Sequence, residues 1–127
     1  MFHNMAILPC FSVSRVLFHG VMSIVDDLVR NKGVMYGGTS AGSIIASPTI
    51  EAAGWGGEGA DRNTVGLSDL TSFGFVPFVT HVHYDPLTEK QNLLAHKKDT
   101  AIYAIPDGAA VEVNENGILT HGKIEIL

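Results

Sequence analysis

Residues Gly38-Thr39-Ser40-Ala41-Gly42 have the spacing G-x-S-x-G, which can put a serine oxygen where it attacks a carbonyl. In a nucleophile elbow the serine sits at the apex of a sharp turn between a strand and a helix. Glycines flank it because the turn brings two backbones close and leaves no room for a β-carbon. A serine hydroxyl at neutral pH also needs a base, and histidine is the usual one because its pKa lies near the working pH. Two histidines, His81 and His83, close an apolar stretch that runs from Gly74 to Asp85. A strand ending this way at the carboxyl edge of a parallel sheet can meet an elbow on a neighbouring strand.

The same histidines admit a different chemistry. His81-Val82-His83-Tyr84-Asp85 reads H-x-H-x-D. Alternating histidines on a strand edge can hold zinc, with the aspartate activating water. Metal hydrolases with this string usually carry a histidine directly after the aspartate, where Pro86 stands here. His96 and His121 would then have to complete the shell. The serine reading requires no metal and no cofactor, and none is expected.

The elements that must position these groups alternate. Val21, Ile24, Val25, Leu28 and Val29 recur at helical spacing and predict an amphipathic helix over Gly20–Asn31, closed by Gly33. Gly33–Tyr36 reads as the strand entering the elbow, and Ala41–Ala46 as the helix leaving it, limited by Pro48. Glu51–Gly66 is a glycine-rich loop around Trp55. It lacks the G-x-x-x-x-G-K-[ST] pattern of a phosphate cradle. Ser68–Ser72 is expected to form a helical turn. Leu87–Lys98 is expected to be a helix with Leu87, Leu94 and Ala95 facing inward. Thr100–Ile105 reads as a buried strand, followed by a turn at Pro106-Asp107-Gly108. Ala109–Val113 and Gly117–Leu119 predict a hairpin across Asn114-Glu115-Asn116-Gly117, and Lys123–Leu127 a final strand. Trp55, Phe73, Phe75 and Phe78 are read as packing groups.

Composition narrows the class. A chain of 127 residues suffices for one domain and one core. With 46% hydrophobic and 17% charged residues it should fold on its own. A net charge of −5, with no basic cluster larger than Lys97-Lys98, argues against a nucleic-acid partner. The single cysteine, Cys10, excludes an internal disulfide and suits a reducing, cytoplasmic setting. Met1–Phe18 is apolar but lacks the features of a signal peptide, and no run approaches the roughly 20 apolar residues that span a bilayer. A soluble protein without a membrane partner is expected.

Taken in order, Gly37-Gly38-Thr39-Ser40-Ala41-Gly42-Ser43, Pro48-Thr49-Ile50, the strand end Phe78…His83-Tyr84 and Ile105-Pro106-Asp107-Gly108 resemble the S51 serine peptidases. That family contains dipeptidase E, which cleaves aspartyl dipeptides, and the cyanophycinases. The resemblance spans Gly20–Leu127 and implies a Rossmann-like, mostly parallel α/β sheet related to the class I glutamine amidotransferases. It implies Ser40 as nucleophile, His83 as base and Asp107 as the acidic member, with the Ala41 N–H as an oxyanion donor. An acid in the loop after the nucleophile is the other choice, for which Glu51, Glu58 and Asp61 are available. The implied activity is hydrolysis of small, aspartyl-type peptides.

Residues 1–19 match nothing in the family, whose members are longer and carry an N-terminal half with a further oxyanion donor. The chain therefore reads as the C-terminal half of the family fold behind an unrelated segment. Two consequences are expected. It could be a folded remnant that turns over nothing, and its open sheet edge could be covered by a homodimer.

Overall fold

The computed structural model describes residues 5–8, 21–56 and 60–127. Cys10, Glu58 and most of the N-terminal segment discussed above lie outside the described residues. In chain order the elements are β1 (Met5–Leu8), α1 (Val21–Arg30), β2 (Met35–Gly38), α2 (Ala41–Ile45), a 3-10 turn (Glu51–Gly54), β3 (Val79–Val82), α3 (Lys90–His96), β4 (Ile102–Ile105), β5 (Ala110–Asn114), β6 (Gly117–His121) and β7 (Glu125–Ile126). The class is mixed α/β. Its parallel strands fall into two small sheets, β1–β2 and β3–β4, with β7 antiparallel on β4 and β5–β6 a separate hairpin.

β1 was not anticipated by the hydrophobic pattern, which assigned no element to residues 1–19. Met5–Leu8 pairs in parallel with Met35–Gly38 over its whole length. The strand before the elbow is accordingly two residues later than its pattern suggests, since Gly37 and Gly38 continue the ladder opposite Ile7 and Leu8.

Helix α1 buries Val25 and packs Val21, Met22 and Val29 against the first core cluster, which holds Ile44, Ile45, Ile50 and Phe73. Ile24, expected in the stripe, is 65% exposed. α3 is shorter than expected because the Asp85 carboxylate organises the preceding turn. It accepts the Leu87 N–H at 2.9 Å and the Thr88 hydroxyl at 3.1 Å. With the helix starting at Lys90, Leu93 is the residue driven into the core and Leu87 and Leu94 face outward. Full burial of a leucine or isoleucine such as Leu93 or Ile102 contributes about 1.5–3 kcal/mol.

Two further expectations are corrected by where backbone groups find partners. Ser68–Ser72 forms no helical turn, because Thr71 bridges Thr49, Leu70 accepts from Ile50 and Ser72 donates to Pro48. The apolar stretch from Gly74 becomes a strand only at Val79. Before that, the N–H groups of Phe73, Gly74 and Val76 donate to the carbonyls of Ile45, Ser47 and Ala46. A helix leaves its last carbonyls without partners, and this segment satisfies those of α2 instead of joining a ladder.

Candidate active site

The turn between β2 and α2 has no room for a side chain at its first glycine. A β-carbon on Gly38 would lie 2.4 Å from the Gly42 carbonyl oxygen and 2.9 Å from the Ser43 nitrogen. Two more contacts lock the crossing: Tyr36 donates to the Gly42 carbonyl at 2.6 Å, and Ser43 to the Gly38 carbonyl at 2.8 Å. Burial of Tyr36 raises its phenol far above the usual value, so it stays a donor.

At the apex Ser40 adopts φ 51° and ψ −119°, a conformation that costs a non-glycine residue about 1–3 kcal/mol. A serine at a helix N-cap ordinarily turns its oxygen back onto the first N–H groups. Ser40 makes no such bond, and its Oγ lies 3.2 Å from His83 Nε2. His83 directly follows β3 and is also left-handed, at φ 57°. Its Nδ1 lies 2.6 Å from Asp107 Oδ1, in the turn after β4.

The hydrogen bonds define the tautomer. An ionised carboxylate only accepts, so Nδ1–H donates to Asp107 and the Nε2 lone pair faces the Ser40 hydroxyl. This is the geometry of a nucleophile, a base and an orienting acid. Ala41 begins α2, and the first N–H groups of a helix are unpaired within it and carry its positive end.

A strut that the motifs gave no sign of joins the two halves. Thr80 on β3 is buried, and so is Ser47, just past α2. The Thr80 N–H donates to Ser47 Oγ at 2.9 Å, and Thr80 Oγ1 donates to the Ser43 carbonyl at 2.9 Å. Ser47 Oγ completes the triangle on Thr80 Oγ1 at 3.2 Å. The helix carrying Ser40 is thus hydrogen-bonded to the strand carrying His83. An adjacent hydroxyl pair at an isolated Ser and an isolated Thr leaves no spacing signature to read.

The remaining candidates go elsewhere. His81 is buried and meets Glu89 at 3.2 Å. Side chains two apart on a strand share a face, but the left-handed turn at His83 sends its ring to Ser40 and Asp107 instead. Asp85 is held by its own turn, His96 stacks on Trp55 with centroids 5.0 Å apart, and His121 faces Glu112 on the hairpin. Among the described residues no group of three His, Cys, Asp or Glu side chains is placed to hold a metal. Glu51 pairs with Lys98 at 2.9 Å, and Asp61 accepts from the Asn63 N–H at 2.8 Å. The acid beside His83 is Asp107.

A cavity of about 640 Å³ opens beside these groups and is lined by Ser40, His83 and Asp107 together with Val82 of β3 and apolar side chains of the hairpin. No helix among the described residues is long and apolar enough to cross a membrane.

The family model for peptidase family S51 matches residues 15–121. The fold is similar to the crystal structure of a candidate peptidase E protein from Listeria monocytogenes EGD-e, with a TM-score of 0.64 at 20% identity. That likeness covers 98% of this chain and 58% of the Listeria chain, so this chain spans little more than half of its neighbour's length. No curated protein sequence matches.

Proposed function

The chain belongs to peptidase family S51, and from that premise we propose that it is a serine-type peptidase acting on small peptides through Ser40, His83 and Asp107. The observation that carries this reading is the contact chain Ser40 Oγ···His83 Nε2 and His83 Nδ1···Asp107 Oδ1, at 3.2 and 2.6 Å. In the reaction Ser40 Oγ attacks the peptide carbonyl as its proton passes to His83 Nε2. The same proton is then delivered to the leaving amine, and water repeats the sequence on the acyl-serine. Asp107 keeps the imidazole in the required tautomer and stabilises its charged form. The Ala41 N–H offers one donor to the oxyanion, a type of contact whose removal typically costs about 10²–10³ in kcat.

One observation favours a second reading, a folded relative without turnover. The side chains of His83 and Asp107 are 62% and 83% exposed. Water competes for their hydrogen bond, and screening weakens its charge.

Hydrolysis of a panel of small dipeptides by the chain and by Ser40→Ala, with labelling by an alkyl fluorophosphonate, separates the two. Turnover and labelling that both vanish in Ser40→Ala support the peptidase. A folded chain that neither labels nor turns over supports the second reading.

A further inference from the structure

His83 holds a left-handed backbone, at φ 57°, while its side chain stands mostly in solvent. Such a conformation persists in a non-glycine residue only where its surroundings leave the chain no alternative. Part of that constraint comes from β4. Val82 closes the parallel ladder opposite Ile105, and the Tyr84 N–H donates to the Ile105 carbonyl at 3.2 Å.

The rest comes from one carboxylate. Glu89 Oε1 accepts from His81 Nε2 at 3.2 Å, and Glu89 Oε2 accepts from the Asp85 N–H at 2.8 Å. These donors stand two residues before His83 and two residues after it. Glu89 is itself fixed: its N–H donates to the Asp85 carbonyl, and its own carbonyl accepts from the N–H of the fully buried Leu93. At the N-cap of α3 it makes no side-chain bond to its own helix, so both oxygens serve the flanks of His83. His81 is buried with its ring edge-on to Tyr84, which keeps the donor it offers in one place.

Resting on the serine-peptidase reading above, we infer that Glu89 is a positioning residue for His83. Its carboxylate clips residues 81 and 85 together across the turn, and so holds the imidazole within reach of Ser40 and Asp107. Helix α3 thereby bears on the reaction through the backbone of the base.

The second-order rate of Ser40 labelling by an alkyl fluorophosphonate, taken per folded molecule beside urea unfolding of each variant, tests this. Glu89→Ala should label about 10–100-fold more slowly, the scale expected when a reacting group shifts by about 1 Å. Glu89→Gln should recover most of that loss, because its amide oxygen accepts from Asp85 and its NH2 meets the other tautomer of His81. His81→Phe keeps an edge-on ring beside Tyr84 and removes one of the two bonds, so it should lose a smaller factor. It carries the test if Glu89→Ala fails to fold. Wild-type labelling per folded molecule in the folded variant, whatever its stability, would overturn the inference and leave Ser40 and His83 in their roles. A Glu89→Gln variant as slow as Glu89→Ala would overturn it too. Absence of labelling in the wild type would instead remove Ser40 as the nucleophile, and the inference with it.

Discussion

The serine half of the site and the histidine half are built in opposite ways. Around Ser40 the chain is buried and cross-braced: Ala41, Ile44, Ile45 and Ser47 are all buried, and Tyr36, Ser43 and Thr80 each tie a backbone carbonyl of the elbow. The side chains of His83 and Asp107 themselves stand in solvent, held by a left-handed backbone at His83, a 2.6 Å contact to each other and a 3.2 Å contact to Ser40. The same contrast continues into the hairpin that follows Asp107, where Val113, Ile118 and Leu119 are exposed. The strained backbone of Ser40 needs packing to persist, whereas His83, in its proposed role as base, needs only the correct tautomer and a short reach.

Substitutions can break that contrast. Gly38→Ala should have the largest effect, because its methyl must displace the Gly42 carbonyl that Tyr36 also holds. A loss of about 3 kcal/mol in urea unfolding is expected, together with loss of fluorophosphonate labelling. Wild-type stability in this variant would show that the elbow is less tightly packed than its geometry requires.

Next in size is Asp107→Asn. Where a buried triad acid is replaced this way the loss in kcat is about 10⁴. At an exposed acid, water shares the task, and a loss on the order of 10² in kcat/KM is expected. A measured loss near 10⁴ would mean that the histidine half is as demanding as the serine half.

Thr80→Val removes the hydroxyl bonds of the strut while keeping its shape, and leaves the backbone bond to Ser47 Oγ in place. It leaves the Ser43 carbonyl and Ser47 Oγ short of a partner in a dry region, at a cost of about 1–3 kcal/mol. Thr80→Ser should recover most of it in the same denaturation assay. If both variants match the wild type, the Thr80 hydroxyl contributes nothing measurable, and the backbone bond to Ser47 and packing hold the two halves.

The smallest effect is sought away from the site, on β7. A hydrogen bond from Lys90, and a second from Tyr84, hold the Glu125 carboxyl below the usual carboxylate value. Its folded pKa lies under its unfolded one, so this stabilisation is present above about pH 4.5 and fades as pH falls through the folded value. Thermal melts of the wild type and Glu125→Gln should therefore converge on acidification. Tyr84 runs the other way. Burial, then its bond to Glu125, pushes its phenol up to about 12, so its contribution holds below pH 10 and is lost toward pH 12.

The parts legible in the sequence were those with a local cause. The elbow could be read because crowding between Gly38 and Gly42 dictates a residue type at a set spacing. The hairpin could be read from Asn116-Gly117, although only the glycine takes a positive φ there. The turn that brings Asp107 to His83 could be read from Pro106-Asp107-Gly108, a local turn sequence. The inward face of α3 could not be read, since the turn organised by Asp85 and not the apolar pattern decides where the helix begins. Nor could Thr80 or Ser47, whose partners lie 33 and 37 positions apart in the chain. The zinc alternative misled for a related reason: alternation along a strand assumes an extended backbone, and His83 leaves it.

That distance in sequence also bears on the order of assembly. Helix α2 is only five residues long and cannot persist by itself in water. It gains the Thr80 braces only once β3 has arrived from more than 30 residues downstream, and closing such a loop costs entropy before any contact repays it. The unfavourable backbone of Ser40 is therefore imposed late. During refolding, α1 should report helix formation by circular dichroism before Ser40 acquires any reactivity toward a fluorophosphonate. On the proposed reading, a half-folded molecule would stay chemically silent until that last step.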